Sequence, residues 1–150
     1  MRQLARVVLL LSAGLLAGAT VTVALLEHAF AGSAPFFTEF KQLEIRAFTV
    51  PLPAIGLVAV IFGIVHATLE RPNRAALALT TAGVACLILG AAITMRGHFP
   101  INERVKTWSA AAPPVDWAAV QERWRQYHDA RTIVVVLGFT LLILGTRVRD

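Results

Sequence analysis

At 150 residues the chain has room for one domain, and its makeup decides which solvent that domain occupies. Hydrophobic residues make up 57% and charged residues 15%, with a mean hydropathy of +0.67, more apolar than a soluble domain of this size could hide from water. The net charge of +5 and pI near 10.7 do not signal nucleic acid: the basic residues sit singly or in pairs at the ends of apolar runs, with no basic patch interleaved with aromatics, which points instead to lipid head groups.

The first apolar run, Val7 to Leu26, is long enough to cross about 30 Å of hydrocarbon. A secretory signal peptide is its alternative reading, since basic residues precede it and Ala29-Phe30-Ala31 resembles a cleavage motif. The run exceeds the usual signal core, however, and Gly14 and Gly18 form a G-x-x-x-G pair suited to close packing in a membrane. Residues Glu27 to Thr49 then read as an outer loop, rich in aromatics at Phe30, Phe36, Phe37, Phe40 and Phe48. Pro51 and Pro53 suit the first turn of a second span, Val50 to Leu69. A third span covers Ala75 to Met95; Cys86 lies within it without a partner cysteine and reads as a small packing residue.

The second outer loop covers Arg96 to Arg131, where Pro100 ends the third helix and Asn102 reads as the cap of a short helix carrying Glu103, Val105 and Lys106. Pro113-Pro114 break the chain, Asp116 is a candidate N-cap, and a helix from Trp117 runs into the last apolar stretch, Thr132 to Thr146, which is too short to span alone. The prediction is an all-α integral membrane four-helix bundle with an outer-side loop and helix extension before the fourth span, a single membrane domain over 1–150 with spans at about 7–26, 50–69, 75–95 and 128–146. Arg2, Arg6, Arg71, Arg74, Arg147 and Arg149 fall on one side within very short segments, against only Glu70 and Asp150. That density of positive charge predicts a multi-pass protein of the cell (inner) membrane with both termini cytoplasmic.

Ionisable side chains at membrane depth are costly and therefore candidates for function. Of four histidines, His28, His98 and His128 gather at the outer face in this topology, while His66 lies near the inner end of the second span. Gln121, Trp124, His128 and Arg131 recur at spacings of three and four, one face of the helix entering the fourth span. Trp124 is expected at the interfacial level, with His128 and Arg131 deeper, and Glu27 is the natural acidic partner for Arg131; the plainer reading is that Arg131 snorkels to head groups and Glu27 faces water. His28, His128 and Glu27, with His98 more remotely, could supply donors for a single transition metal such as copper, iron or zinc, although no paired metal motif exists and a lone interfacial histidine is commonly structural or an acid–base group. No phosphate loop, Ser-His-Asp set or haem motif is present. What remains is a small polar pocket at the outer end of the bundle, with Trp124, Phe36 and Phe99 as aromatic lining for a hydrophobic small molecule entering from the bilayer.

The pattern Pro100-Ile101-Asn102-Glu103-Arg104, followed by Trp124-x-x-x-His128-x-x-Arg131, resembles the anthrone oxygenase-like family of small membrane proteins, in which a Pro-x-Asn segment precedes Trp, His or Asn, and Arg. Glu27-His28 is similar to the Glu-His-Pro of many bacterial members, with Ala29 in place of the proline, which leaves the turn after His28 undefined. The resemblance implies a four-helix membrane fold and, for the better-known members, oxidation of polyphenolic anthrones to anthraquinones with molecular oxygen. Carried over by position, it implies a site of Glu27, His28, Asn102, Trp124, His128 and Arg131.

The leading expectation is thus a membrane oxidoreductase acting on a hydrophobic phenolic or quinone-like molecule. His128 would be its general base or metal ligand, helped by Glu27 and His28, with Arg131 and Asn102 stabilising an anionic oxygen. The rivals are a non-enzymatic membrane subunit that binds a lipid or partner through the same stripe, and a small transporter, for which no repeat or broken helix speaks. A homo-oligomer or a second membrane subunit would be compatible with any of these.

Overall fold

The structure, a computed structural model, describes residues 2–29, 32–70 and 73–148. Phe30 and Ala31 of the cleavage-like motif, and Arg71, Arg149 and Asp150 of the charge count, lie outside the described residues. Among the described residues six α-helices follow one another: α1 (Arg2–Ala29), α2 (Ala34–Phe48), α3 (Pro51–Leu69), α4 (Arg74–Ile93), α5 (Phe99–Lys106) and α6 (Trp117–Gly145). They make four helical stretches long and apolar enough to cross a membrane, Arg2–Ala29, Ala34–Leu69, Arg74–Lys106 and Trp117–Gly145. Large apolar side chains such as Leu11, Leu15, Ile61, Ile88 and Leu137 face outward, as lipid contact requires.

The bundle is a square in which α1 packs on α3 and α6, and α4 packs on the same two helices. Its core gathers Leu9, Ala13 and Ala17 of α1, Ala59 of α3, Val84 and Leu87 of α4, and Val135 and Leu142 of α6. Because Leu9, Ala13 and Ala17 stand one turn apart, α1 is an integral wall of the bundle. The start of α1 and the end of α6 lie at the same end of this bundle, since Thr20 meets His128 and Gly14 meets Phe139 in antiparallel register. The site described below occupies the opposite end.

The closest pairing, α4 with α6, rests on small residues at a seven-residue period. Ala76, Gly83, Gly90 and Gly97 form one row and Gly138 and Gly145 the facing one; a Cβ on Gly83 would stand 2.7 Å from Leu142 Cγ and 2.9 Å from the Gly138 carbonyl oxygen. With little hydrophobic force between helices in lipid, such close backbone approach supplies the van der Waals attraction. Cys86 belongs to the same seam, its Cβ lying where a side chain on Gly138 would point. Gly14 is crowded by Phe139, but Gly18 meets nothing within 4 Å, so the expected G-x-x-x-G contact is half absent within the chain.

The long outer loops predicted from sequence are largely helical. Ser33 in extended conformation and Pro35 in the first turn start α2, and Phe37, Thr38, Lys41 and Ile45 bury one stripe of it. Pro51 and Pro53 begin α3, having no N–H to continue α2. At the far end of α4 the helix widens into a π-helical turn, Thr94–His98, instead of ending before Pro100. In an α-helix the Pro100 ring would collide with the Arg96 carbonyl, and the wide turn relieves that clash while the chain continues into α5. Asn102 therefore sits inside α5 and caps nothing. Asp116 precedes α6 without a side-chain cap bond, its carboxylate being held by Arg104 at 2.7 Å. From Trp117, α6 runs unbroken through the fourth span.

Candidate functional site

The expected face of α6 forms a packed stack. Trp124 is 5% exposed and His128 fully buried; their rings lie parallel with centroids 4.9 Å apart. Trp124 is thus an internal residue of the bundle and not an interfacial anchor. Its indole N–H donates to Asn102 Oδ1 at 2.9 Å, tying α6 to α5. His128 Nε2 lies 2.9 Å from the Thr20 carbonyl oxygen and Nδ1 lies 2.7 Å from an Arg131 guanidinium nitrogen. A carbonyl only accepts and a guanidinium only donates, so Nε2 carries the hydrogen and Nδ1 is the acceptor. Both nitrogens of His128 are engaged, and neither is free to take a proton or hold a metal without breaking one of these bonds.

Over this stack lies α2, fastened by a buried ion triad. Lys41 Nζ donates to Glu27 of α1 and, at 2.6 Å, to Glu44 of α2, and it sits 3.3 Å above the Trp124 ring. Lys41 is fully buried and Glu27 only 2% exposed, so the charges compensate each other in a dry place, with a cation–π contact added. Glu27 accordingly pairs with Lys41 and not with Arg131, the partner expected from sequence. Gln42 reinforces the lid by donating to the carbonyls of Val105 and Trp108.

Arg131 has no carboxylate within ion-pair distance among the described residues. Its guanidinium donates to His128 and, at 3.3 Å, to Thr94 Oγ1, and its Nε has no partner. It borders two adjoining cavities. One, about 60 Å³, is lined largely by apolar side chains such as Ile45, Phe48 and Leu52, with Glu44, His98, Asn102 and Arg131 as the polar groups in its wall. The other, about 420 Å³, lies between α3 and α4 and is lined by apolar residues such as Leu52, Leu57, Val60, Ile88 and Phe99, with Thr20, Thr94 and Arg131 as its polar end. Ring and acyl groups fit such a space, and a single oxygen would meet the cation.

His98, carried by the π turn, is 1% exposed and packs edge-on against Trp124 and His128 at 4.9 and 5.9 Å between centroids. Neither of its ring nitrogens forms a hydrogen bond among the described residues. A buried polar group left so costs about 1–3 kcal/mol. Gly97 beside it lets Tyr127 approach to where a Cβ would stand, 2.5 Å from Tyr127 Cγ.

The structure thus brings Asn102, Trp124, His128, Arg131 and Phe99 to one place, with Glu27 behind the lid. It does not bring His28 there: His28 is half exposed and its Nε2 binds the Asp129 carboxylate at 3.0 Å on the outside of the bundle. The ligand set His28, His128 and Glu27 is not assembled, and no three His, Cys, Asp or Glu side chains among the described residues converge on a metal position. Phe36 faces outward, stacked on Phe40, away from both cavities. His66 is buried in α3, far along the chain axis from the other three histidines, with neither nitrogen partnered.

Compared with known families, residues 40–141 match the family model described as anthrone oxygenase. The chain belongs to the anthrone oxygenase family. No curated protein and no solved structure matches it. The matched region runs from α2 through nearly all of α6, so it holds the lid, the π turn and the Trp124 stack but not Glu27 or His28. The family match supports an oxygenase-like function at the level of the family.

Sequence reasoning missed Lys41, Glu44, Thr20 and Thr94, and it counted His98 only among the histidines at the outer face and as a more remote metal donor. Lys41 and Glu44 carried a signal: they stand three apart with Phe37 and Ile45 on one helical stripe, in a segment read as an outer loop rich in aromatics. Thr20 acts through its backbone carbonyl, which no side-chain pattern reveals.

Proposed function

We propose that this protein is a membrane oxygenase that takes a hydrophobic, ring-fused phenolic or anthrone-like molecule from the bilayer and oxidises it with dioxygen. The observation that carries this reading is the apolar cavity between α3 and α4 that ends on Arg131, a cation without a paired carboxylate. The apolar rings would occupy the space among Leu57, Val60 and Ile88, with the substrate's oxygen beside the guanidinium. A charge that develops on that oxygen would gain from fixed donors in a site of little water. Thr94 and His128 hold the guanidinium in place, and the Asn102 amide, fixed by Trp124, stands in the wall of the adjoining smaller cavity. An anthrone fits the chemistry, since loss of a methylene proton gives an aromatic oxyanion, and conversion to the quinone consumes one dioxygen and releases one water.

The test is detergent-purified protein with 1,8-dihydroxyanthrone, followed by oxygen uptake and quinone absorbance. Wild type should accelerate both above the spontaneous rate, and Arg131→Gln should bind the anthrone about 10- to 100-fold more weakly, the loss expected for a hydrogen bond to a charged group. Failure of wild-type protein to bind or oxidise any of a panel of anthrones and hydroquinones would favour a non-enzymatic membrane subunit.

A further inference from the structure

We infer that His98 is the proton acceptor of this site, the group that takes the acidic hydrogen from the bound substrate. The inference rests on the reading of the cavity as the seat of an anthrone-like ligand and adds to it a named base. The neighbouring candidates are already engaged. His128 uses Nε2 on the Thr20 carbonyl and Nδ1 on Arg131, Glu27 and Glu44 both accept from Lys41, and Glu27, although its Oε2 makes no hydrogen bond among the described residues, lines neither cavity. His98 alone of the three histidines at this end combines a buried ring with two nitrogens that form no hydrogen bond among the described residues, and it shares the wall of the smaller cavity with Arg131.

Its placement is constructed by the fold. The π turn of Thr94–His98 gives the helix a wide turn, a feature frequent at functional sites. The same turn supplies two side chains of the smaller cavity's wall: Thr94, whose Oγ1 accepts from Arg131, and His98, which packs edge-on to Trp124. Thr94, Phe99 and Arg131 border both cavities and His98 borders the smaller one, so the two spaces adjoin at this turn.

The chemistry assigned to His98 is a proton transfer without net redox. A ring nitrogen lone pair takes a proton from the substrate's methylene carbon. The C–H electron pair moves into the conjugated carbonyl, and the oxygen that gains the charge lies beside Arg131. Dioxygen, the oxidant, reacts only afterwards with the electron-rich anion, forming the new C–O bond, and cleavage of the O–O bond with loss of water leaves the quinone carbonyl. His98 gives its proton back to that water.

The proton step can be isolated by leaving oxygen out. With full-length protein in detergent, 1,8-dihydroxyanthrone is incubated anaerobically in heavy water and deuterium uptake at its methylene is followed by mass spectrometry, with affinity measured in parallel. Wild type is expected to raise the exchange rate above the spontaneous one. In His98→Gln the protein-catalysed part should fall by about 100-fold or more, the usual contribution of a positioned base, with affinity within about threefold of wild type. Equal exchange in wild type and His98→Gln, at equal affinity, overturns the assignment of His98 and leaves the cavity reading standing. Absence of both binding and exchange in wild type overturns both. If His98→Gln does not fold, His98→Asn takes its place. The nitrogen-15 spectrum of histidine-labelled wild type also decides: a new imidazolium signal on anaerobic addition of the anthrone supports the proposal, and an unchanged set of four histidines overturns it.

Discussion

Arg131 owes its position to His128, and the pair explains why a histidine with no free nitrogen stands at the centre of the site. His128→Phe keeps a ring against Trp124 but removes the acceptor for Arg131 and the donor to Thr20. Anthrone affinity should fall about tenfold, as for one charge-assisted hydrogen bond of about 1.5 kcal/mol, which a fluorescence titration against wild type would measure. Unchanged affinity would show that Arg131 is held by Thr94 alone. Lys41 acts differently, through the lid. Lys41→Met leaves Glu27 and Glu44 buried without their common cation and should cost about 3–5 kcal/mol, read as a lower melting temperature in detergent. A melting temperature equal to wild type would mean that water reaches the triad.

At the scale of elements, the seam between α4 and α6 depends on absent side chains. Gly83→Ala places a methyl against Leu142 and the Gly138 carbonyl, and Gly138→Ala meets Cys86 Cβ at 2.9 Å. Each should destabilise by about 1–3 kcal/mol through overpacking. Gly18→Ala points into open space and should shift stability by less than about 0.5 kcal/mol. Thermal melts of the three variants in one detergent check the contrast, and a loss at Gly18 equal to that at Gly83 would place an unseen partner against α1. The glycine rows were present in the sequence, but their function as a seam needs two helices in register, which the spacing in either helix alone does not specify.

For the whole molecule, the cavity between α3 and α4 predicts how a ligand gets in. Ala91 lines it and is exposed, so Ala91→Phe should fill the passage and weaken anthrone binding by about tenfold or more while the melting temperature holds. Unaltered affinity would mean that the ligand enters from the lid side. The shared end of α1 and α6 also ties the termini together, and the density of basic residues beside them predicts that both face the cytoplasm; reporters fused to each end should agree, and an external report from either would invert the site's orientation.

The sequence by itself determined that the chain is a four-helix membrane protein, because apolar runs of sufficient length have one solution in lipid, where each backbone group must be bonded within its own helix. It also determined the stripe of Trp124, His128 and Arg131, because helical spacing fixes which residues share a face. Only the tertiary structure decided what that stripe touches. The rotation of α1 set Thr20 against His128 and turned His28 outward to Asp129, α2 brought Lys41 between Glu27 and Glu44, and the π turn drove His98 inward. Apart from the pairing of Lys41 with Glu44, three residues on in the same helix, these placements are set by how helices rotate and pack and not by any pattern local to one of them.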